Sequence, residues 1–118
     1  LRALKARGAK LVILSNGTPD MLDSAVRSAG LSDLLDPSIS VVEVGVFKTD
    51  FRVYERVGAR YGVAPTQVSF QSSNRWDVAG AAKFGFRAVW INRTQAPDEY
   101  KDLRPAATLD GLAGLLTL

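Results

Sequence analysis

The chain has 118 residues, enough for one modest domain, with 47% hydrophobic and 23% charged residues, ordinary for a globular protein. Its net charge of +3 is scattered rather than clustered, which argues against a nucleic-acid or membrane-surface binder. No cysteine and no histidine occur, so disulfides, thiolate metal sites and histidine acid–base chemistry are excluded, and the commonest zinc ligand is missing. Proton transfer must then fall to carboxylates, lysine, tyrosine or water. No apolar stretch is long enough to span a bilayer, and no signal peptide is visible.

Leu1 and Leu4 share one face of an opening helix that Gly8 stops. Neither a methionine nor an N-cap precedes that helix, so the chain is expected to begin partway through an element of a longer protein. Leu11-Val12-Ile13-Leu14 is a short apolar run, the pattern of a strand buried on both faces. Thr18 or Ser15 can cap the next helix, with Pro19 in its first turn and Met21, Leu22, Ala25 and Val26 facing inward as far as Gly30. Leu31, Leu34 and Leu35 form an amphipathic turn ending at Asp36-Pro37, and Ile39 to Val44 reads as a second strand. A helix follows from Asp50 to Tyr61, with Phe51, Val53, Tyr54 and Val57 as its apolar face and Gly62 as its stop.

Pro65-Thr66-Gln67 turns the chain into a strand at Val68 to Gln71. The helix Trp76 to Phe84 is rich in small residues, which let it lie close on a sheet, and Gly85 ends it. Arg87 to Ile91 is another strand, Asn92 to Leu103 a loop or short helix, Ala106 to Thr108 a short edge strand, and Thr108 or Asp110 caps a last helix through Leu116. Strands and helices alternating at short intervals predict an α/β fold with a parallel sheet and right-handed crossovers. Without a repeat or a convincing linker, residues 1–118 are read as part of a single domain.

Three polar clusters follow strands, where open α/β sheets carry their chemistry, and together they are expected to form one active site. Ser15-Asn16-Gly17 can hold a carboxylate or phosphate at a helix N-terminus, or can be a plain strand-to-helix turn. Lys48 can neutralise a carboxylate or bound anion, with Tyr54 six residues on; the plain readings are a surface lysine and a core tyrosine. Ser72, Ser73, Asn74 and Asp77 are the strongest set. Asp77 starts a helix, where negative charge is favoured, and its carboxylate can orient or deprotonate a water. The competing reading is a helix cap, with Ser73 or Asn74 at the N-cap and Asp77 as its partner. Glycine fingerprints for dinucleotides and nucleoside triphosphates are absent.

Leu14-Ser15-Asn16-Gly17, Phe47-Lys48 with Arg52-Val53-Tyr54, Ser72-Ser73-Asn74 with Trp76-Asp77, Ala79 to Phe86 and Val89 to Arg93 together resemble the haloacid dehalogenase superfamily. Within it the chain resembles the (S)-2-haloacid dehalogenases that act without metal. The phosphatase branch generally carries a Gly-Asp pair and a second Asp four residues after the first, which help bind Mg²⁺. Here Ser72-Ser73 replaces Gly-Asp and only Asp77 remains, too few carboxylates for a hard cation.

The resemblance implies a Rossmann-like three-layer sandwich and a cytoplasmic hydrolase without cofactor, often dimeric, acting on a 2-haloalkanoic acid and releasing halide. An aspartate would attack the halogen-bearing carbon with inversion, and water would hydrolyse the ester. Ser15 would bind the substrate carboxylate and Asn16 would help receive the halide. Lys48 would balance the nucleophile's charge; Tyr54, Ser72 and Asn74 would position it, the aspartate and the water. Asp77 leads as the activator of that water, with Lys48 the other candidate.

The nucleophilic aspartate, on a first strand, and the helical cap domain would lie upstream of Leu1, and the 118 residues alone are expected to be inactive. That strand would belong between Leu11–Leu14 and Val68–Gln71, leaving those two roughly 10 Å apart without it and exposing apolar edges prone to aggregation. Thr49 and Phe51 stand where family members often have proline, and Arg75 where a small residue is usual. A Mg²⁺-dependent phosphatase of the same superfamily and a non-catalytic scaffold domain are the alternative readings.

Overall fold

The computed structural model describes residues 1–118 as two compact units, Leu1–Lys48 and Thr49–Leu118. No helix is long and apolar enough to cross a membrane.

The first unit contains helix α1 (Arg2–Ala6), strand β1 (Leu14–Ser15), helix α2 (Pro19–Ser28) and strand β2 (Ile39–Ser40). β1 and β2 pair in parallel, Leu14 opposite Ile39 and Ser15 opposite Ser40. Backbone bonds from Asp36 to Leu11 and from Ile39 to Ile13 run beside this ladder, so the apolar run is drawn along β2 before regular pairing begins. The strand expected through Val44 stops at Ser40. There the Ser40 hydroxyl accepts from the Val42 amide at 3.2 Å and starts a 3₁₀ turn over Val41–Glu43. In α2, Pro19 occupies the first turn and Thr18 is the cap, its hydroxyl accepting from Met21 at 3.3 Å. Leu22 is the buried residue of that helix; Met21 and Ala25, expected inward, are exposed.

The second unit contains α3 (Phe51–Tyr61), β3 (Ser69–Ser72), α4 (Arg75–Phe84), β4 (Arg87–Ile91) and β5 (Ala107–Leu109). The strands form a parallel sheet in the order β3-β4-β5. β4 is central, and Ala88, Val89, Trp90 and Ile91 are all buried, as the uninterrupted apolar run demands. Val89 and Ile91 each contribute about 1.5–3 kcal/mol by this burial.

Asp50 caps α3, accepting from the Arg52 amide at 2.9 Å, and Gly62 closes it with φ +63, a left-handed geometry that favours glycine. Gly85 ends α4 in the same way at φ +118. α4 presents Val78, Ala79 and Ala81 to the core, and its small residues bring its backbone close to the strands. The last segment is a 3₁₀ helix over Leu112–Thr117 behind Gly111, not the side-chain-capped α-helix expected; neither Thr108 nor Asp110 caps it.

Candidate active site

In the first unit, Ser15 ends β1 and turns its hydroxyl onto its own turn, accepting from the Gly17 amide at 3.0 Å. The Gly17 carbonyl accepts from the Ser40 hydroxyl at 2.6 Å, which ties the ends of β1 and β2 together. Ser40 is almost wholly buried, and the sequence reading gave it no role. Its only sequence signal is a serine at the end of an apolar strand. Exposed Asn16 reaches farther: its Oδ1 accepts from the Lys48 backbone amide at 3.0 Å. One hydrogen bond thus joins two candidate positions 32 residues apart in sequence.

In the second unit, Ser72 is the last residue of β3 and Asn74 the residue before α4. The Ser72 hydroxyl accepts from the Asn74 amide at 3.1 Å, which fixes the tight turn between strand and helix. Asn74 holds the N-cap position, yet its side chain makes no capping bond. Asp77 lies in the first turn of α4, 2% exposed, and its Oδ1 accepts from the Tyr54 hydroxyl at 2.9 Å. Asp77, in the first turn behind the N-cap Asn74, thus also makes a long-range pair between α3 and α4.

That pair is built from below. Tyr54 is fully buried in an aromatic wall, with ring centroids 5.9 Å from Phe70, 5.7 Å from Phe84 and 5.7 Å from Phe86. Its hydroxyl can approach α4 because position 80 is glycine. A Cβ there would lie 2.8 Å from the Tyr54 oxygen and 2.8 Å from Thr49 Cγ2. Burial pushes the Tyr54 hydroxyl far above its ordinary pKa of 10.0, and the neighbouring Asp77 charge and hydrogen bond push it the same way. Tyr54 therefore stays a proton donor and fixes the rotation of the Asp77 carboxylate. Thr49 and Phe51, the two departures from proline, also have structural work. Thr49 packs on Gly80, and Phe51 meets Phe84 edge-on at 5.3 Å.

Arg75, which stands where a small residue is usual in the family it resembles, is a buried clamp. Its guanidinium bonds Asp98 at 2.8 Å and the carbonyls of Tyr100 and Leu103 at 2.7 and 2.6 Å. Asp98 is held below the usual carboxylate range, chiefly by the Tyr100 amide and then by Arg75. Such a role was hidden in the sequence, because its partners lie 23 to 28 residues downstream in a segment without periodicity.

No group of three or more Asp, Glu, His or Cys side chains comes together to offer a metal its ligands. In the Ser72–Val78 turn the sole carboxylate is Asp77.

Comparison with known proteins follows the same lines. A hydrolase family model, haloacid dehalogenase-like hydrolase, matches residues 1–85. The (S)-2-haloacid dehalogenase 1 of Pseudomonas sp. (strain CBS-3) is 49% identical over 100 residues, covering 85% of this chain and 44% of that protein. The crystal structure of an L-2-haloacid dehalogenase superposes with a TM-score of 0.94 at 44% identity, over 98% of this chain and 51% of its own. The L-2-haloacid dehalogenase of Xanthobacter autotrophicus, solved with chloropropionic acid covalently bound, superposes with a TM-score of 0.80 at 37% identity, over 92% of this chain and 54% of its own. The chain spans about half the length of the curated relatives it matches.

Proposed function

This chain belongs to the haloacid dehalogenase-like hydrolase family, and we propose that it serves the hydrolytic dehalogenation of (S)-2-haloacids to (R)-2-hydroxy acids. The observation that carries the reading is the Tyr54–Asp77 pair: a buried carboxylate, held in one rotation at 2.9 Å, beside the strand-end residues Ser72 and Asn74. A carboxylate so oriented suits the activation of a water.

The reaction begins when an aspartate carboxylate attacks the halogen-bearing carbon in line, forming a C–O bond as the carbon–halogen bond breaks. The configuration inverts and halide leaves. A water then adds to the carbonyl carbon of the resulting ester as Asp77 takes its proton; the acyl C–O bond breaks, Asp77 returns that proton to the departing alkoxide, and the attacking aspartate is regenerated as its own proton passes to solvent. In this reading the attacking carboxylate comes from a part of the protein outside these 118 residues, and Asp20, Asp23, Asp33 and Asp36 take no such role. Ser15 receives the substrate carboxylate and Asn16 the halide. Lys48 balances the charge of the attacking acid. The relative whose structure carries covalently bound chloropropionic acid supports the ester intermediate. Cytoplasmic localisation and a second copy of the chain as partner are carried over from the family resemblance.

The Mg²⁺-dependent phosphatase reading ranks below this one. A hard cation takes six or more oxygen ligands, carboxylates foremost. The turn supplies one carboxylate, and that carboxylate is engaged by Tyr54. The residues present do not fit the ion.

The test joins residues 1–118 to the remaining part of a curated (S)-2-haloacid dehalogenase and follows chloride release from (S)-2-chloropropionate. Release is expected, and Lys48→Ala and Asp77→Asn are each expected to lower it by at least about a hundredfold. No chloride release, or in its place Mg²⁺-dependent phosphate release from p-nitrophenyl phosphate offered as a second substrate, refutes the proposal.

A further inference from the structure

Arg75 takes no part in the reaction just described, yet its guanidinium bonds one carboxylate and two backbone carbonyls. It opens α4 and is 8% exposed. Its Nε donates to Asp98 Oδ1 at 2.8 Å, and its Nη2 donates to the Tyr100 and Leu103 carbonyls at 2.7 and 2.6 Å and lies 3.4 Å from Asp98 Oδ2. The guanidinium carbon stands 5.6 Å from the centre of the Trp90 ring and 5.6 Å from that of Tyr100. Nη1 is buried without a hydrogen-bond partner, a costly arrangement that a simple surface latch would not require.

Only a flat fork can hold a carboxylate and two carbonyls while lying against two rings, so lysine is no substitute. The second half of the observation lies at Trp90. Its indole N–H donates to the Ser73 carbonyl at 3.2 Å. Ser73 sits between Ser72 and Asn74, and the Arg75 backbone directly follows them. The turn is therefore gripped twice, once through its own Arg75 and once through the indole that Arg75 covers.

We propose that Arg75 is a positioning residue: it clamps the 98–103 segment over Trp90 and thereby fixes the Ser73 carbonyl and the turn that carries Ser72, Asn74 and Asp77. That this turn is catalytic rests on the function proposed above; that Arg75 fixes it does not.

The test is amide and indole hydrogen exchange on the joined protein described above, comparing Arg75→Ala, Arg75→Lys and Asp98→Asn with the parent. In Arg75→Ala, the Trp90 indole and the Asn74 and Asp77 amides are expected to exchange about tenfold faster or more, together with the Leu103 amide. The indole resonance is expected to shift as well. Arg75→Lys is expected to leave these signals unrescued, and Asp98→Asn to move them partway. Val89, in the central strand, serves as the control for global unfolding.

If the Leu103 amide loosens while the Trp90 indole and the Asn74 and Asp77 amides keep parental rates, Arg75 only fastens a loop and the proposal is overturned. If Arg75→Ala unfolds the chain, Asp98→Asn decides, and parental rates at the indole in that variant overturn it too. Because exchange is read without turnover, a failure to release chloride in the joined enzyme refutes the function and leaves this result standing.

Discussion

Replacing Tyr54 with phenylalanine removes one oxygen from the aromatic wall and nothing else. The ring keeps its neighbours Phe70, Phe84 and Phe86, so burial of apolar surface is conserved. What is lost is the 2.9 Å hydrogen bond to the Asp77 carboxylate. A hydrogen bond to a charged group contributes roughly 1.5–3 kcal/mol, so Tyr54→Phe is expected to cost about 2 kcal/mol at pH 7. For a chain of this length that is a fall in melting temperature of roughly 6–12 °C. The assay is urea unfolding followed by tryptophan fluorescence, with the midpoint falling and the slope unchanged.

The pH arm has a definite sign. The folded-state pKa of Tyr54 lies above the unfolded value of 10.0. Its contribution is thus fully present below pH 10. Above that, the unfolded chain releases the proton while the folded chain keeps it, and stability falls. The phenylalanine variant lacks this loss, so the gap between the two proteins narrows as pH rises past about 10. A midpoint unchanged by Tyr54→Phe at pH 7, or a gap that stays constant into alkaline solution, refutes the assignment of the Tyr54–Asp77 bond.

Two further outcomes follow from the same geometry. Gly80→Ala adds a carbon 2.8 Å from the Tyr54 oxygen and 2.9 Å from Thr49 Cβ; overpacking is expected to outweigh the helix-propensity gain of about 1 kcal/mol, leaving a net loss of about 1 kcal/mol. Combined with Tyr54→Phe the two costs are expected to be less than additive, because one of the clashing atoms is gone; a double-mutant cycle of unfolding midpoints reads this directly. Asp50, held down to about 2 chiefly by its side-chain bond to Arg52, caps α3. Its lowered pKa means its contribution is present above pH 4 and lost as pH falls toward 2, so Asp50→Ala is expected to melt earlier than the parent at pH 7 and to converge with it in acid. Thermal melts at a series of pH values check it.

The alternation of β4 and its neighbours with helices was legible because β4 is an uninterrupted apolar run and because Gly62 and Gly85 mark helix ends by a conformation glycine favours. Short elements were harder. Val41 to Val44 is as apolar as a strand, and only the Ser40 hydroxyl, bonding the Val42 amide, shows why the chain turns there. Periodicity placed Met21 inward with Leu22, but one face of α2 buries Leu22 and leaves Met21 outside.

The candidate site was legible as residue types at strand ends, and the structure finds Ser15, Ser72 and Asn74 at or just past those ends. The pairing of Tyr54 with Asp77 was not legible, since 23 residues separate them and an acid in a first helical turn reads equally well as a cap. The partners of Arg75 were not legible for the same reason. A single arginine beside a polar turn carries no mark of the two carbonyls and two rings that bury it.

The most direct measurement is the fate of (S)-2-chloropropionate in water enriched in ¹⁸O, given to the joined enzyme in the presence of a metal chelator. The account predicts chloride and (R)-lactate, with a single turnover delivering label to the enzyme's attacking carboxylate rather than to the product, and turnover lowered at least about a hundredfold in Asp77→Asn. Lactate of retained configuration, label entering the product in the first turnover, or activity that disappears with the chelator contradicts it.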